Sequence, residues 1–330
     1  MKTLKKLFSL CLLLALMVTA LASCQITSGS DTSSEIRIGG LKGPTSIGMA
    51  KLMADDEASI TQNDYDFTIA GTADMLTPLL IQGELDILAV PANLAATLYQ
   101  RTNGEIQVLA INTLGVQYLL KKGDVKLDSL ADLAGKTIYA TGKNTVNEFN
   151  LRYLLAEHGL SMDSDVTVIW SSEPAEVVAK LKAEPTAIAM LPQPYVTVAA
   201  SSVEGLTVAL SLDEIWTSLG TDSRMITGVL VVRRSFAEKN KSKLSKFLEE
   251  YEASTTYVNE HPEEAAAWVE KYIGVKAPIA TQAIPRCNIT YMAGQEMYQA
   301  LSAYYEVLYS VNPTSVGGKL PDKAFYYGVE

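Results

Sequence analysis

The side chains best suited to covalent or metal chemistry are few in this 330-residue chain: three cysteines and two histidines. Cys11 and Cys24 lie near the start. Cys287, with no histidine close in sequence, reads as a small core residue and not as a nucleophile. His158 and His261 stand far apart in charged, helix-period segments, too little for a zinc site or a histidine-based triad. G-x-S-x-G, H-E-x-x-H and phosphate-loop patterns do not occur. What remains is hydrogen-bonding chemistry, concentrated in four loops at 39–46, 70–74, 91–93 and 141–145. Each places Gly, Ser, Thr or Asn between an apolar run and a helix-period segment. Glycine there ordinarily makes the turn and Ser, Thr or Asn caps the helix, with Pro44 suited to the first helical position and Asn93 to a cap. The same groups are donors that a ligand can use, so Gly40, Thr45, Thr72, Asn93, Asn144 and Thr145 are candidate contacts. Lys42 and Lys143 lie inside these loops, and Arg224 stands just before a later extended stretch. A cation beside a crevice favours an anionic or zwitterionic ligand; a solvated surface charge is the other reading of each. Gln193 and Tyr195 occupy the Pro-stiffened loop 191–197, able to hydrogen-bond or stack on a planar ligand, or simply to turn the chain.

The elements that must position these residues alternate. Short apolar runs at 36–38, 66–70 and 85–90 read as strands, and 44–54, 73–82 and 93–101 as helices. Gly83 ends the second helix. A longer strand-like stretch covers 105–121. Within it, Thr113 opens a crossing with Gly115, whose glycine suits either a hinge or a bulge. A second alternating unit follows, with strands at 137–140, 166–169 and 187–191 and helices at 146–158 and 174–182. A second extended stretch covers 227–233, and the remainder reads as helical at 241–259, 262–272 and 291–310. Tyr304–Tyr305 and Tyr326–Tyr327 fall in this last part, where packing of amphipathic rings is expected. Strands alternating with helices predict a mostly parallel sheet in each unit, and a doubly wound sheet gathers the four loops around one crevice.

The N-terminus carries Lys2, Lys5 and Lys6, then an apolar run over 7–21 that ends in small residues, the pattern of a cleavable secretory signal. Leu21-Ala22-Ser23-Cys24 resembles the lipobox of bacterial lipoproteins, which implies lipidation of Cys24 and a palmitate-type membrane anchor. The polar stretch 24–35 reads as a tether. Formal charge is −10; loss of the signal removes three lysines and no acid, leaving 24 basic against 37 acidic residues. So acidic a body argues against nucleic acid and against adhesion to an anionic bilayer without the lipid.

Leu130-Ala131-Asp132-Leu133-Ala134-Gly135-Lys136-Thr137, Gly83-Glu84-Leu85-Asp86-Ile87 and Leu191-Pro192-Gln193-Pro194-Tyr195-Val196-Thr197 together resemble substrate-binding proteins of ABC transporters. The class is the type II periplasmic binding protein, and the family that of nitrate, sulfonate, taurine and thiamine-precursor binders. The resemblance runs from about residue 36 to 326. It implies an α/β fold of two lobes, each a doubly wound, mostly parallel sheet, joined by two hinge strands. Lobe I would comprise 36–112 and 228–330, lobe II 113–227. It further implies capture of a small anionic, zwitterionic or heteroaromatic solute, lobe closure, and delivery to a permease and its ATPase by a monomer without cofactor or metal. A surface sensor or scaffold lipoprotein on the same fold is the alternative. An enzyme of the thiamine-pyrimidine synthase type on this architecture would need a Cys-rich motif and a histidine, which no candidate loop supplies.

Overall fold

Short apolar runs alternating with helix-period segments build two sheets, one in each α/β unit. The computed structural model describes residues 35–329. The expected signal, Cys24 and the expected tether up to residue 34 lie outside the described residues. Glu35 already belongs to the first strand. In chain order the strands are β1 (Glu35–Leu41), β2 (Asp64–Ala70), β3 (Ile87–Pro91) and β4 (Ile106–Leu114). Then come β5 (Gln117–Lys122), β6 (Thr137–Thr141), β7 (Thr167–Ser171), β8 (Ala187–Pro192) and β9 (Leu206–Ser211). The chain returns through β10 (Ile226–Arg233) and β11 (Ile289–Ala293).

The first sheet has the order β11-β4-β10-β3-β1-β2 and the second β7-β6-β8-β5-β9. In the first, β1 pairs in parallel with β2 and β3, while β10 runs antiparallel to both β3 and β4. Strands β1 to β4 therefore share one direction, opposed by β10 and β11. In the second, β6 to β9 share a direction and only β5 opposes them. Each sheet is thus mostly parallel, and its inserted reversed strand is the one by which the chain enters that unit. Ile87 to Val90 of β3 are fully buried, as a strand covered on both faces must be.

Several local expectations shift. Gly39 and Gly40 do not turn the chain; both lie within β1. A Cβ on Gly39 would fall 2.6 Å from Leu88 Cδ1, and one on Gly40 2.5 Å from Ser46 Oγ, so close packing requires glycine there. The helix expected over 44–54 is two pieces, Pro44–Ile47 and Ala50–Glu57, with Pro44 first as expected. Asn93 is not a cap: the helix Ala92–Arg101 begins directly after Pro91, whose φ of −55° and ψ of 140° already end β3 and start the turn. Strands β9 and β11 were not expected. The latter is an edge strand with a bulge, too short and too weakly alternating to show, and it delays the last helix to Gly294–Val311.

The Asp86 of the G-x-x-D pattern clasps the first sheet at its far end. Its carboxylate, 1% exposed, accepts from Arg37 Nε at 2.9 Å and Nη2 at 2.8 Å, and from Arg233 Nη2 at 2.5 Å. β1, β3 and β10 are tied together there, where β3 starts and β10 finishes.

Candidate functional site

β4 ends at Leu114 and β5 starts at Gln117, so two residues connect the sheets. The end of the first sheet where β1, β3 and β4 finish and β10 begins therefore meets the end of the second where β5 begins and β8 finishes. Ligands of such windings occupy the crevice beyond these strand ends.

On the first-sheet side, Asn112 Nδ2 donates to the Thr45 carbonyl at 3.0 Å, and the Thr113 hydroxyl donates to Asn112 Oδ1 at 3.0 Å. Gly228 pairs with both Pro91 and Thr113. A Cβ on it would come within 2.6 Å of Asn112 Oδ1 and still nearer the Thr45 methyl, so Thr45 is seated against β10 by this glycine. On the second-sheet side, the Gln193 backbone N–H donates to Val116 O at 2.9 Å, placing Gln193 beside the crossing. Its Oε1 accepts from the Thr197 hydroxyl at 2.9 Å and from the Thr197 N–H. Gln117 Oε1 accepts from Asn150 Nδ2 at 3.0 Å, and Asn150 Oδ1 accepts from Tyr304 OH at 2.7 Å. Tyr304 and Tyr305 are fully buried in the last helix, as expected of packing rings. Tyr305 OH reaches the Ala92 carbonyl, next to Asn93, at 2.8 Å.

Six buried polar atoms of this junction have no hydrogen-bond partner among the described residues: Thr45 Oγ1, Ser46 Oγ, Asn93 Oδ1, Thr227 Oγ1, Gln117 Nε2 and Gln193 Nε2. Each orphan costs about 1–3 kcal/mol, so such a group calls for water or a ligand to complete it.

The crossing itself is tight. A Cβ on Gly115 would fall 2.7 Å from Asp213 Cβ and nearer still to its Oδ1, so this glycine serves a close approach. Asn288, held at a φ of 43°, reaches across from the loop before β11 and donates Nδ2 to Gly115 O at 2.5 Å and to Asp213 Oδ2 at 3.3 Å. Burial pushes the Asp213 carboxyl up to about 6; the Gly115 hydrogen bond and Arg224 oppose that shift, and Glu214 adds to it. Tyr118 OH makes a further bridge to Arg286 O at 3.2 Å.

The remaining candidates are placed differently. Lys42, Thr72, Lys143, Asn144 and Arg224 are exposed. Asn144 has a φ of 61° and gives its N–H to Glu148, while Thr145 caps the helix Val146–Glu157 by accepting from Asn147 N. Tyr195 is half-buried and packs with Tyr118 and Tyr139 against the apolar cluster around Leu191 and Val196. Arg224 lines a surface cavity of about 510 Å³ with Asp222, Glu296 and Gln299. Thus Thr45, Asn93 and Gln193 are gathered at the junction, with Gly40 and Thr113 packed behind them. Ser46 was the alternative hydroxyl to Thr45 in its loop; Gln117 and Thr227 were not singled out from sequence, although Asn112 and Gln117 interrupt an apolar run, and a polar interruption of that kind is a usable signal. Cys287 is a core residue as expected, its thiol pushed by burial up to about 12. Among the described residues no group of three or more His, Cys, Asp or Glu is arranged to hold a metal ion, and no helix is long and apolar enough to cross a membrane.

The family model described as NMT1/THI5 like matches residues 100–265. Among solved structures, an ABC transporter from Parabacteroides distasonis superposes with a TM-score of 0.73 at 22% identity, covering 89% of this chain and 98% of that one. The periplasmic aliphatic sulphonate binding protein SsuA from Escherichia coli gives 0.72 at 17% identity, covering 89% and 92%. The periplasmic nitrate-binding protein NrtA from Synechocystis gives 0.57 at 16% identity, covering 80% and 74%. Among curated proteins none matches significantly.

Proposed function

Because the chain belongs to the NMT1/THI5-like family, whose model covers half of it, we propose that it captures a small solute between two lobes and presents it to an ABC permease and its ATPase. The lobes divide at the crossings, close to the expected 113 and 227: lobe I carries the first sheet, through Leu114 and again from Ile226, lobe II carries the second, and the protein acts as a monomer. Lipid on Cys24 holds it at the outer face of the membrane, with 24–34 as tether. The observation that carries this reading is the set of buried, partnerless polar atoms contributed by both sheets where their ends meet. A ligand touching both sides satisfies more of these atoms in the closed form, and so shifts the population toward closure. The periplasmic binding proteins of similar fold support the same reading.

A thermal-shift screen of the protein in mild detergent tests it. A solute at a hundred times its dissociation constant adds about 2.7 kcal/mol, a rise of several degrees. X-ray scattering with a confirmed ligand is expected to show a more compact particle; an identical profile would sink the closure mechanism. Cys24→Ala is expected to release the protein from the membrane fraction, and retention there would refute the lipid anchor.

A further inference from the structure

We infer that the last helix, Gly294–Val311, is a third connection between the lobes, and that Tyr304 and Tyr305 position lobe II and lobe I upon it. The lobes turn about this helix instead of swinging freely on the two crossings.

By sequence the helix follows β11 and belongs to lobe I. Successive residues of a helix point about 100° apart, so two neighbouring tyrosines reach different partners. Tyr305 OH donates to the Ala92 carbonyl at 2.8 Å, at the start of the lobe I helix Ala92–Arg101. Tyr304 OH instead meets Asn150 Oδ1 at 2.7 Å, in the lobe II helix Val146–Glu157. Asn150 is bonded in turn to Gln117, the first residue of β5. A hydroxyl donates or accepts, so these contacts persist whichever way the two amides are turned. Tyr304, Tyr305 and Asn150 are fully buried and Gln117 is 1% exposed, which leaves bulk water no access to replace the bonds.

Aromatic rings continue the connection on both sides. In lobe II, Tyr153 and Trp216 lie 4.6 Å apart between centroids, and Trp216 stands 5.7 Å from Tyr304. Tyr304 and Tyr305 are 6.4 Å apart, Tyr305 and Phe325 6.1 Å, and Phe325 and Tyr99 5.0 Å. Each spacing falls within the range of favourable ring pairs, about 4.5–7 Å. The column runs from lobe II helices Val146–Glu157 and Leu212–Ser218, through the last helix, to the lobe I helix Ala92–Arg101. Strand residues of both sheets, Leu119 and Ile138 of the second with Val90 and Ile111 of the first, belong to the same apolar core. Packed contacts of this kind move between discrete arrangements and do not deform continuously, so the helix decides which lobe orientations are reached.

Amide hydrogen exchange read by mass spectrometry, on the solute-free protein in mild detergent, tests the connection. Tyr304→Phe and Tyr305→Phe keep the rings and each remove one buried hydroxyl. Tyr304→Phe is expected to speed exchange about tenfold in the lobe II segment 146–157 and to leave 92–101 unchanged. Tyr305→Phe is expected to do the reverse. Acceleration confined to lobe I segments in both variants, the mark of a helix serving lobe I alone, overturns the inference, as does unchanged exchange at 146–157 in Tyr304→Phe. The second readout is the distance between spin labels on Lys182→Cys of lobe II and Lys239→Cys of lobe I, both exposed positions. Cys287 is fully buried, and on the lipoprotein reading Cys24 carries no free thiol. Tyr304→Leu, which removes ring and hydroxyl together, is expected to broaden that distance distribution and extend it to longer values; an unchanged distribution overturns the pivot. Where Tyr304→Leu does not fold, the exchange pattern of the two phenylalanine variants decides. The inference rests on the two-lobed part of the solute-capture reading and its test uses no solute. A thermal-shift screen without hits leaves the connection standing, and failure of the connection leaves solute capture standing.

Discussion

Replacing Asp86 by alanine removes the carboxylate that clasps β1, β3 and β10, and the size of the loss can be worked from its bonds. Three side-chain hydrogen bonds from two guanidinium groups end on it, and a fourth comes from the Arg37 backbone N–H at 3.0 Å. The Arg37 and Arg233 side chains are only 21% and 19% exposed. Both therefore lose their carboxylate in surroundings that water cannot fully repair. Removing one side of a buried ion pair costs about 3–5 kcal/mol. For a body of this size, each kcal/mol lowers the melting temperature by about 2 °C, giving a fall of about 6–10 °C. Asp86→Asn keeps the shape and one acceptor, and is expected to cost about half as much. Thermal and urea denaturation at pH 7.5 measure both. Solute affinity, read at the opposite end of the sheet, is expected to change by less than about twofold, since sites this separate behave additively. A fall of under about 2 °C for Asp86→Ala would refute the clasp. Lost solute binding with an unchanged melting temperature would refute its separation from the site.

Two other perturbations read the crossing. The Asp213 carboxyl, raised to about 6 from 3.8, costs stability above about pH 6, and the cost disappears as pH falls toward 4. Because Asp213 stays partly solvated, full linkage is discounted to about 1–2 kcal/mol. Asp213→Asn is expected to stabilise by that amount at pH 7.5 and by nothing near pH 4, and a pH-independent difference in urea unfolding would refute the assignment. Gly228→Ala is expected to cost about 1–3 kcal/mol by driving a methyl into Thr45 and Asn112. Adding Thr45→Ser removes one of the two clashes, so the double variant should regain part of that loss; strict additivity in denaturation would show that the two residues do not touch.

The sequence by itself determined the alternation of strands and helices, because burial on both faces of a strand demands an unbroken apolar run, as at Ile87 to Val90. It also determined the start at Pro44 and the helix end at Gly83, where φ is 83°. The four loops, with Thr45 and Asn93 among their residues, and the loop 191–197 with Gln193 were legible because glycine, hydroxyl and amide residues collect where strands give way to helices. What each residue does there was decided only by the tertiary structure. Whether a loop residue caps its own helix or stands open depends on partners distant in sequence: Thr145 satisfies Asn147, while Thr45 is seated by Asn112 and Gly228. Gln117 and Thr227 lie buried at the junction because β10 lies between β3 and β4 and β5 lies between β8 and β9, pairings no local pattern encodes. Gly39, Gly40 and Gly115 look like turn residues in one dimension. In three they are places where a side chain from elsewhere occupies the room a Cβ would need.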